Sequence, residues 1–325
     1  MTSLPSRALG ALTVPAIGYG AMELAGAYAP CDDADADRAL DAALDAGCSF
    51  VDTSDSYGTS ERQLGRLLAR TSRERVQVST KFGLRPFDDE PVHRLRVPWS
   101  ASTFGINAEP RLVRGYAERS LRRLGVEWID LYSPHFPDPE VPIEDTIGAV
   151  ADLVHAGLVQ HVGISNATAD DLQRAQAVHP IAAVQVQWSM WRPVDPDLLA
   201  RCRDTGVGIV AWAPMGRGFL TGTLTEVRDD DYRGNVERLA GANLAANQER
   251  FAPVRSIAGD LGVTSAQLAL AWLLRQHHAV VPIPGSRSPA RIAENAAAAF
   301  VALDDAAVAA VDAALAEFVP VGEIS

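Results

Sequence analysis

Four side chains in the first half of the chain have the types and spacing of a proton-transfer site: Asp52, Tyr57, Lys81 and His135. Lys81 is the single lysine in a sequence whose other 28 basic residues, of 29, are arginines. A bias that removed lysine everywhere else spared this position, which calls for a chemical reason. Lysine is a compact point charge whose pKa can move, whereas guanidinium is a planar fork that stays protonated. A phenol near pKa 10 holds its proton too tightly to be an efficient acid at neutral pH, and a nearby ammonium lowers that value. Tyr57 beside Lys81 is therefore expected to act as a general acid strengthened by the lysine. Asp52 would hold Lys81 charged and in place, and His135 could donate to the oxygen that Tyr57 protonates. Such a set suits reduction of a C=O bond, with hydride from a cofactor. Taken singly, each residue has a plain alternative: Asp52 a turn or helix cap, Tyr57 a packed loop ring, His135 a polar loop residue between prolines. Their common placement is what speaks for chemistry.

That placement follows from the elements around them. Arg75-Val-Gln-Val-Ser-Thr alternates as a strand does, and Phe82-Gly83 reads as a turn, so Lys81 falls at a strand's C-terminal end. Short apolar runs of this kind recur at 16–20, 48–52, 75–80, 128–133, 158–165, 182–187, 208–213 and 279–283. Between them lie helical patterns at 33–46, 60–69, 110–124, 143–157, from 168, and 196–205. Residues 8–14 read as a hairpin, 248–261 and 265–276 as helices, and the alanine-rich 296–317 as one or two more. In 110–124 the arginines Arg111, Arg114, Arg119 and Arg122 are expected outward. Two long segments, 84–109 with His93, Trp99 and Phe104, and 223–247, read as loops, the first a substrate loop.

Eight strands separated by amphipathic helices, with no composition break, predict one α/β domain over 1–325, a (β/α)8 barrel with an N-terminal hairpin, long substrate loops and C-terminal helices. Barrels place catalytic groups at the C-terminal ends of their strands, where Asp52, Lys81 and His135 fall. A doubly wound sheet is the runner-up, but Gly18-Tyr-Gly20 and Gly216-Arg-Gly218 both miss the Gly-x-Gly-x-x-Gly spacing.

With 29 basic and 41 acidic residues the formal charge is −12, which argues against a nucleic-acid footprint or a polybasic membrane patch. Cys31, Cys48 and Cys202 are odd in number and widely spaced, so no disulfide framework or zinc site is expected, and a reducing cytoplasm fits. The first twenty residues lack a targeting pattern, and no run reaches transmembrane length.

Six motifs in order resemble the aldo-keto reductase superfamily: Asp52-Thr-Ser-x-x-Tyr57-Gly58, Lys81-Phe-Gly, Asp130-Leu-Tyr-x-x-His135, Gly163-Ile-Ser165-Asn166, Gln185-x-x-x-Ser189 and Ile283-Pro-Gly-Ser286. The chain looks most like the bacterial single-domain members related to pyridoxal reductases. The resemblance implies a catalytic tetrad of Asp52, Tyr57, Lys81 and His135. It implies nicotinamide contacts from Ser165, Asn166 and Gln185, and a stacking ring at Trp188, where most relatives have tyrosine. Pro214, Met215, Gly216, Arg217 and Gly218 match its pyrophosphate turn. Ser286, Arg287 and Arg291 match positions that hold an adenosine 2′-phosphate, with Glu294 and Asn295 at the adenine, so NADP(H) is favoured over NAD. The implied reaction is NADPH-dependent reduction of a small aldehyde or ketone. Met22, Tyr28, Trp99 and Trp191 line either the substrate pocket or the barrel packing. Other readings stay open at this point: a regulatory subunit of the same fold with little turnover, or a barrel glycosidase built on paired carboxylates. A metal-dependent hydrolase would want ligand-spaced histidines, and His277-His278 lies away from the barrel mouth. Physiological substrate, reaction direction and oligomeric state are not legible.

Overall fold

The structure is a computed structural model that describes residues 3–97, 103–228 and 231–322. Trp99 lies outside the described residues. The chain opens with an antiparallel hairpin of β1 (Ser6–Leu9) and β2 (Leu12–Pro15). Its turn residue Gly10 is left-handed (φ 57°), and a Cβ there would lie 2.9 Å from the Cα of Ala182, so the hairpin is pressed against the barrel by a contact no other residue would permit. The strands β3 (Tyr19–Gly20), β4 (Phe50–Asp52) and β5 (Gln77–Phe82) then pair in parallel. A second hairpin, β6 (His93–Arg96) and β7 (Thr103–Ile106), follows before β8 (Ile129–Pro134) rejoins the sheet beside β5. Next come β9 (Val159–Ser165), β10 (Ile181–Gln187), β11 (Gly208–Trp212) and β12 (Val280–Pro282), each parallel to the one before. Gly18 N donates to Pro282 O at 2.9 Å and Gly20 N to Pro284 O at 3.2 Å, which brings the eighth strand round to the first. This is the (β/α)8 architecture expected from the sequence.

The helices are α1 (Asp33–Asp45), α2 (Ser60–Ala69), α3 (Pro110–Leu124), α4 (Ile143–His155), α5 (Ala169–Gln176), α6 (Pro196–Thr205), α7 (Ala242–Arg250), α8 (Ala252–Asp260), α9 (Ser265–Gln276), α10 (Pro289–Ala297) and α11 (Asp305–Ala316). Capping fixes several of their ends. Thr168 and Thr264 form capping boxes with Asp171 and Gln267, and α3 and α6 stop at left-handed Gly125 and Gly206. No single helix among the described residues is long and apolar enough to cross a membrane.

Two cores follow from the period-two alternation of strand side chains. Val51, Val78, Tyr132, Ile164, Val184 and Ile209 point outward into the layer beneath the helices. Phe50, Leu131, Ala183, Val210 and Val281 point inward and meet Leu9, Leu12 and Val14 of the first hairpin, which plugs the N-terminal end. Two residues further along the inward register stand Asp52, Ser133, Gln185 and Trp212, at the opposite end. The same alternation that fills the barrel thus leaves its polar side chains at the C-terminal mouth.

Four local expectations change. Within 84–109 the structure has the β6–β7 hairpin, whose strands pair with each other alone among the described residues. His93-Arg-Leu-Arg96 alternates inward and outward, but a histidine takes the first inward position, so Leu95 and Val97 alone mark its apolar face and the period is too short to stand out. The helix expected over 248–261 is two, α7 and α8, broken near Phe251 because Pro253 brings no amide donor to a continuous helix. The 223–247 segment holds short 3-10 turns at Tyr232–Asn235 and Glu237–Leu239 before α7 begins at Ala242. Arg119, expected on the solvent face of α3, is instead largely buried.

Candidate active site

Lys81, the last residue but one of β5, is 1% exposed, and its ammonium donates to Asp52 Oδ2 and to the Thr53 carbonyl, each at 2.7 Å. Asp52 ends β4, and its other oxygen accepts from Ser79 Oγ at 2.9 Å and Gln185 Nε2 at 2.7 Å. Both carboxylate oxygens are therefore satisfied, as a buried charge requires. The Tyr57 ring stands 5.3 Å from Lys81 Nζ and meets the His135 ring edge-on, with centroids 5.6 Å apart. The four residues singled out in the sequence are thus brought together at one end of the barrel. Asp52, with both oxygens taken by these donors, is not placed to serve as a glycosidase carboxylate.

The electrostatics differ from expectation at Tyr57. Burial in the first place, and then the charge of Asp52, push its phenol well above the ordinary value of 10. The Lys81 ammonium does not reverse this, because seen from Tyr57 it is offset by the carboxylate it holds. Burial lowers the Lys81 pKa and Asp52 raises it, with burial the larger effect. His135 is held well below 6.5 by burial and by Lys81, so its imidazole is neutral. Its Nδ1 lies 3.0 Å from Ser54 Oγ and 3.5 Å from Ser56 Oγ. A hydroxyl donating to Nδ1 would leave the proton of the neutral ring on Nε2. Ser54 went unnoticed in the sequence, although it lies within the motif that carries Asp52 and Tyr57.

These groups open onto a cleft of about 1260 Å³ that runs from Tyr57 and His135 past the 214–218 turn to the N-terminal end of α10. Met22, Tyr28, Asn166, Gln185, Pro214, Met215, Arg217, Gly218, Ser286, Arg287, Arg291, Glu294 and Asn295 all line it. Arg233 links its walls, donating to the Arg217 carbonyl at 3.2 Å with its guanidinium 4.8 Å from the Tyr28 ring centroid. Among the described residues, the three non-glycine residues with positive φ, Asn166, Ala213 and Arg217, all lie on this wall. Left-handed backbone at non-glycine residues is costly and clusters where a ligand must be met. Gly216 and Gly218 flank Arg217 and are also left-handed, so three successive residues of the turn share that conformation. Ser288 caps α10, its Oγ accepting from Arg291 N at 3.5 Å, and Arg287 Nη1 donates to the Pro30 carbonyl at 2.5 Å.

Several expected cofactor contacts are committed within the protein. Asn166 Nδ2 donates to the His135 carbonyl (3.0 Å) and to Ser165 Oγ (3.1 Å), while its Oδ1 accepts from the Trp212 indole (3.1 Å). Ser165 and Gly216 are buried just behind the cleft lining. Trp191 is also off the cleft, buried and stacked on Phe219 at 4.0 Å.

Trp188 is the clearest correction. It is 3% exposed, packs in the outer core and does not line the cleft, so it presents no face there. On β10, Ala183 and Gln185 point inward and Val184 and Val186 outward, and Trp188 continues the outward series. The flat ring on the wall is Trp212, two residues beyond inward-facing Val210 on β11. Counting by twos along β11 would have found it.

The comparisons with known proteins agree with this architecture. The profile of the Aldo/keto reductase family matches residues 16–316. Probable aldo-keto reductase 1 of Glycine max is 36% identical over 320 residues, covering 96% of this chain and 87% of that protein. The NADP(+) aldo-keto reductase yakc of Schizosaccharomyces pombe is 37% identical over 317 residues, covering 94% and 90%. Among solved structures, a glycerol dehydrogenase from Gluconobacter oxydans superposes with a TM-score of 0.82 at 27% identity, covering 98% of this chain and 97% of that one. An aldo-keto reductase from Klebsiella pneumoniae in complex with NADPH gives a TM-score of 0.71 at 25% identity, covering 100% and 98%. With a profile match across nearly the whole sequence and relatives above one third identity, the chain belongs to the aldo/keto reductase family.

Proposed function

We propose that this protein reduces a small aldehyde or ketone to the alcohol with NADPH, Tyr57 giving the proton. The observation that carries the reading is the arrangement at the mouth: a phenol and a neutral imidazole on one cleft wall, set against a buried Lys81–Asp52 pair. The cleft suits a phosphorylated dinucleotide, because the left-handed 216–218 turn and the arginines beside α10 line the same space. When bound, the dihydronicotinamide supplies the hydride. Trp212 offers it a flat face, and the 214–218 turn and Arg217 would hold the pyrophosphate. Nε2–H of His135 donates to the carbonyl oxygen and stabilises the charge that gathers there. Tyr57 then passes its proton to that oxygen. A phenol with a raised pKa still serves, since an alkoxide is about as basic as hydroxide, the conjugate of water at about 15.7.

The test is oxidation of NADPH followed at purified enzyme with a panel of small aldehydes and ketones. Turnover of at least one is expected. If NADPH binds and no carbonyl compound is reduced, the regulatory-subunit reading takes its place.

Cofactor choice is separately testable. Arg291→Ala is expected to weaken NADPH binding about tenfold or more, the worth of a charge-assisted contact of about 1.5–3 kcal/mol, and to leave NADH within about twofold. Equal loss for both cofactors would refute a 2′-phosphate role for Arg291.

The raised phenol pKa gives a second prediction. Alcohol oxidation needs Tyr57 as a base, so its kcat/KM should keep rising with pH from about 7 to about 10, the ordinary range below phenol ionisation. Reduction needs the protonated form and should show no loss from Tyr57 ionisation over that span. An oxidation profile that levels off near pH 7 would mean that Lys81 does acidify the phenol.

A further inference from the structure

Asp55 lies between Ser54, which contacts His135, and Tyr57, and its carboxylate is fully buried. Arg119 of α3 donates from Nη2 to Asp55 Oδ2 at 2.7 Å and, from the same nitrogen, to the Arg85 carbonyl at 2.9 Å. Its guanidinium lies 4.5 Å from the Phe87 ring centroid and 5.1 Å from that of Tyr116. Gly115 permits this: a Cβ there would meet Phe87 at 3.2 Å. The loop after β4 is held from other sides as well. Asp55 N donates to the Lys81 carbonyl at 3.0 Å, and Arg123 Nη1 donates to the Asp55 carbonyl and to Glu61 Oε2, each at 3.1 Å.

A buried ion pair contributes little net stability, and apolar residues of similar volume often serve as well or better. This one is not bidentate, since among the described residues Asp55 Oδ1 and Arg119 Nε have no hydrogen-bond partner. Its value lies in what it joins. Leu84, Arg85 and Phe104, from the 84–109 segment, line the same cleft as Ser56, Tyr57 and His135.

We propose that Arg119 is a positioning residue: through Asp55 it fixes the loop that carries Ser54 and Tyr57, and through the Arg85 carbonyl it ties that loop to the start of the 84–109 segment, so that the proton donor and the substrate-facing wall are set as one unit. The catalytic consequence rests on the carbonyl-reductase reading; the coupling of the two segments does not.

The test compares Asp55→Asn, which keeps an acceptor for Arg119, with the double variant Asp55→Leu/Arg119→Met, which removes both charges. The double variant should melt within a few degrees of the parent and bind NADPH within about twofold, because a buried ion pair is replaceable by apolar packing. Its kcat should fall about 10- to 100-fold, as expected when a reacting group is misplaced by about 1 Å. Asp55→Asn should stay within about threefold of the parent, a rescue that separates position from charge. In cofactor-free protein, hydrogen exchange should quicken in 53–58 and 84–87 together in the double variant. A double-variant kcat within about twofold of the parent, or quicker exchange in one segment alone, overturns the proposal. Arg119→Lys keeps a charge opposite Asp55 and carries the test if the apolar pair does not fold. It should quicken exchange in 84–87 and raise KM at least about threefold, and no change in either overturns the proposal. The exchange measurements need no turnover, so failure of the carbonyl-reductase reading and failure of this inference are told apart.

Discussion

Tyr57→Phe should lower kcat for aldehyde reduction by about a thousandfold while leaving NADPH affinity within about twofold, within the range that a single positioned proton donor contributes. The substitution removes one oxygen and keeps the ring, so the edge-on contact with His135 and the approach of Lys81 to the ring face survive. Losing this raised-pKa hydroxyl on the cleft wall should cost little stability, because no hydrogen bond within the protein goes with it among the described residues. His135 remains as a neutral donor to the carbonyl, which is why activity should fall to a residue and not to zero. Steady-state reduction of the best aldehyde, with cofactor binding followed by quenching of tryptophan fluorescence, gives both quantities. A loss under about tenfold would move the proton donor elsewhere, and Nε2 of His135 would be the first place to look.

How far the sequence speaks for this site depends on which physical signal each part carries. α3 and α6 are legible to the residue, because an amphipathic face is bounded by a strong stop, Gly125 or Gly206. Asp52, Lys81 and His135 are legible as a set for a similar reason: each closes or follows a short apolar strand, and barrel geometry turns strand ends into one mouth. The β6–β7 hairpin is not, since His93 takes one of its few inward positions and leaves Leu95 and Val97 alone to mark the apolar face of the first strand. Trp188 and Trp212 show a different limit. Trp188 follows a strand and Trp212 ends one, and that one-residue difference in register sends one ring into the outer core and the other to the cleft. The direction of the Tyr57 shift was hidden for a third reason. Proximity of a lysine to a tyrosine is readable, but the net charge a phenol feels depends on which carboxylate has claimed the ammonium, and that is a matter of ångströms.

That claim on the ammonium alters what the lone lysine does, and with it the second large effect. Lys81→Arg should cost at least about a hundredfold in kcat although the charge is kept, with about 1–3 kcal/mol of stability lost to overpacking in a closed site. The ammonium reaches Asp52 and the Thr53 carbonyl at once from a position with almost no exposure, and Thr53 begins the turn that leads to Tyr57. A guanidinium is longer and planar, so it must push either the carboxylate or that turn aside. Lys81→Met fits better by shape but leaves Asp52 charged with only the Ser79 and Gln185 donors, and breaking a buried pair in this way costs about 3–5 kcal/mol. The combination Asp52→Asn/Lys81→Met separates the two consequences. It removes both charges, so the melting temperature should recover most of what Lys81→Met alone loses. Activity should not recover with it, because no group then anchors the Thr53 carbonyl. Thermal melts and aldehyde turnover on the four proteins decide the matter. If turnover returns along with stability, Lys81 is a structural counter-ion and the placement of Tyr57 is secured by other contacts; if turnover stays low while the fold is restored, the one lysine in the chain is kept for the position it gives the phenol.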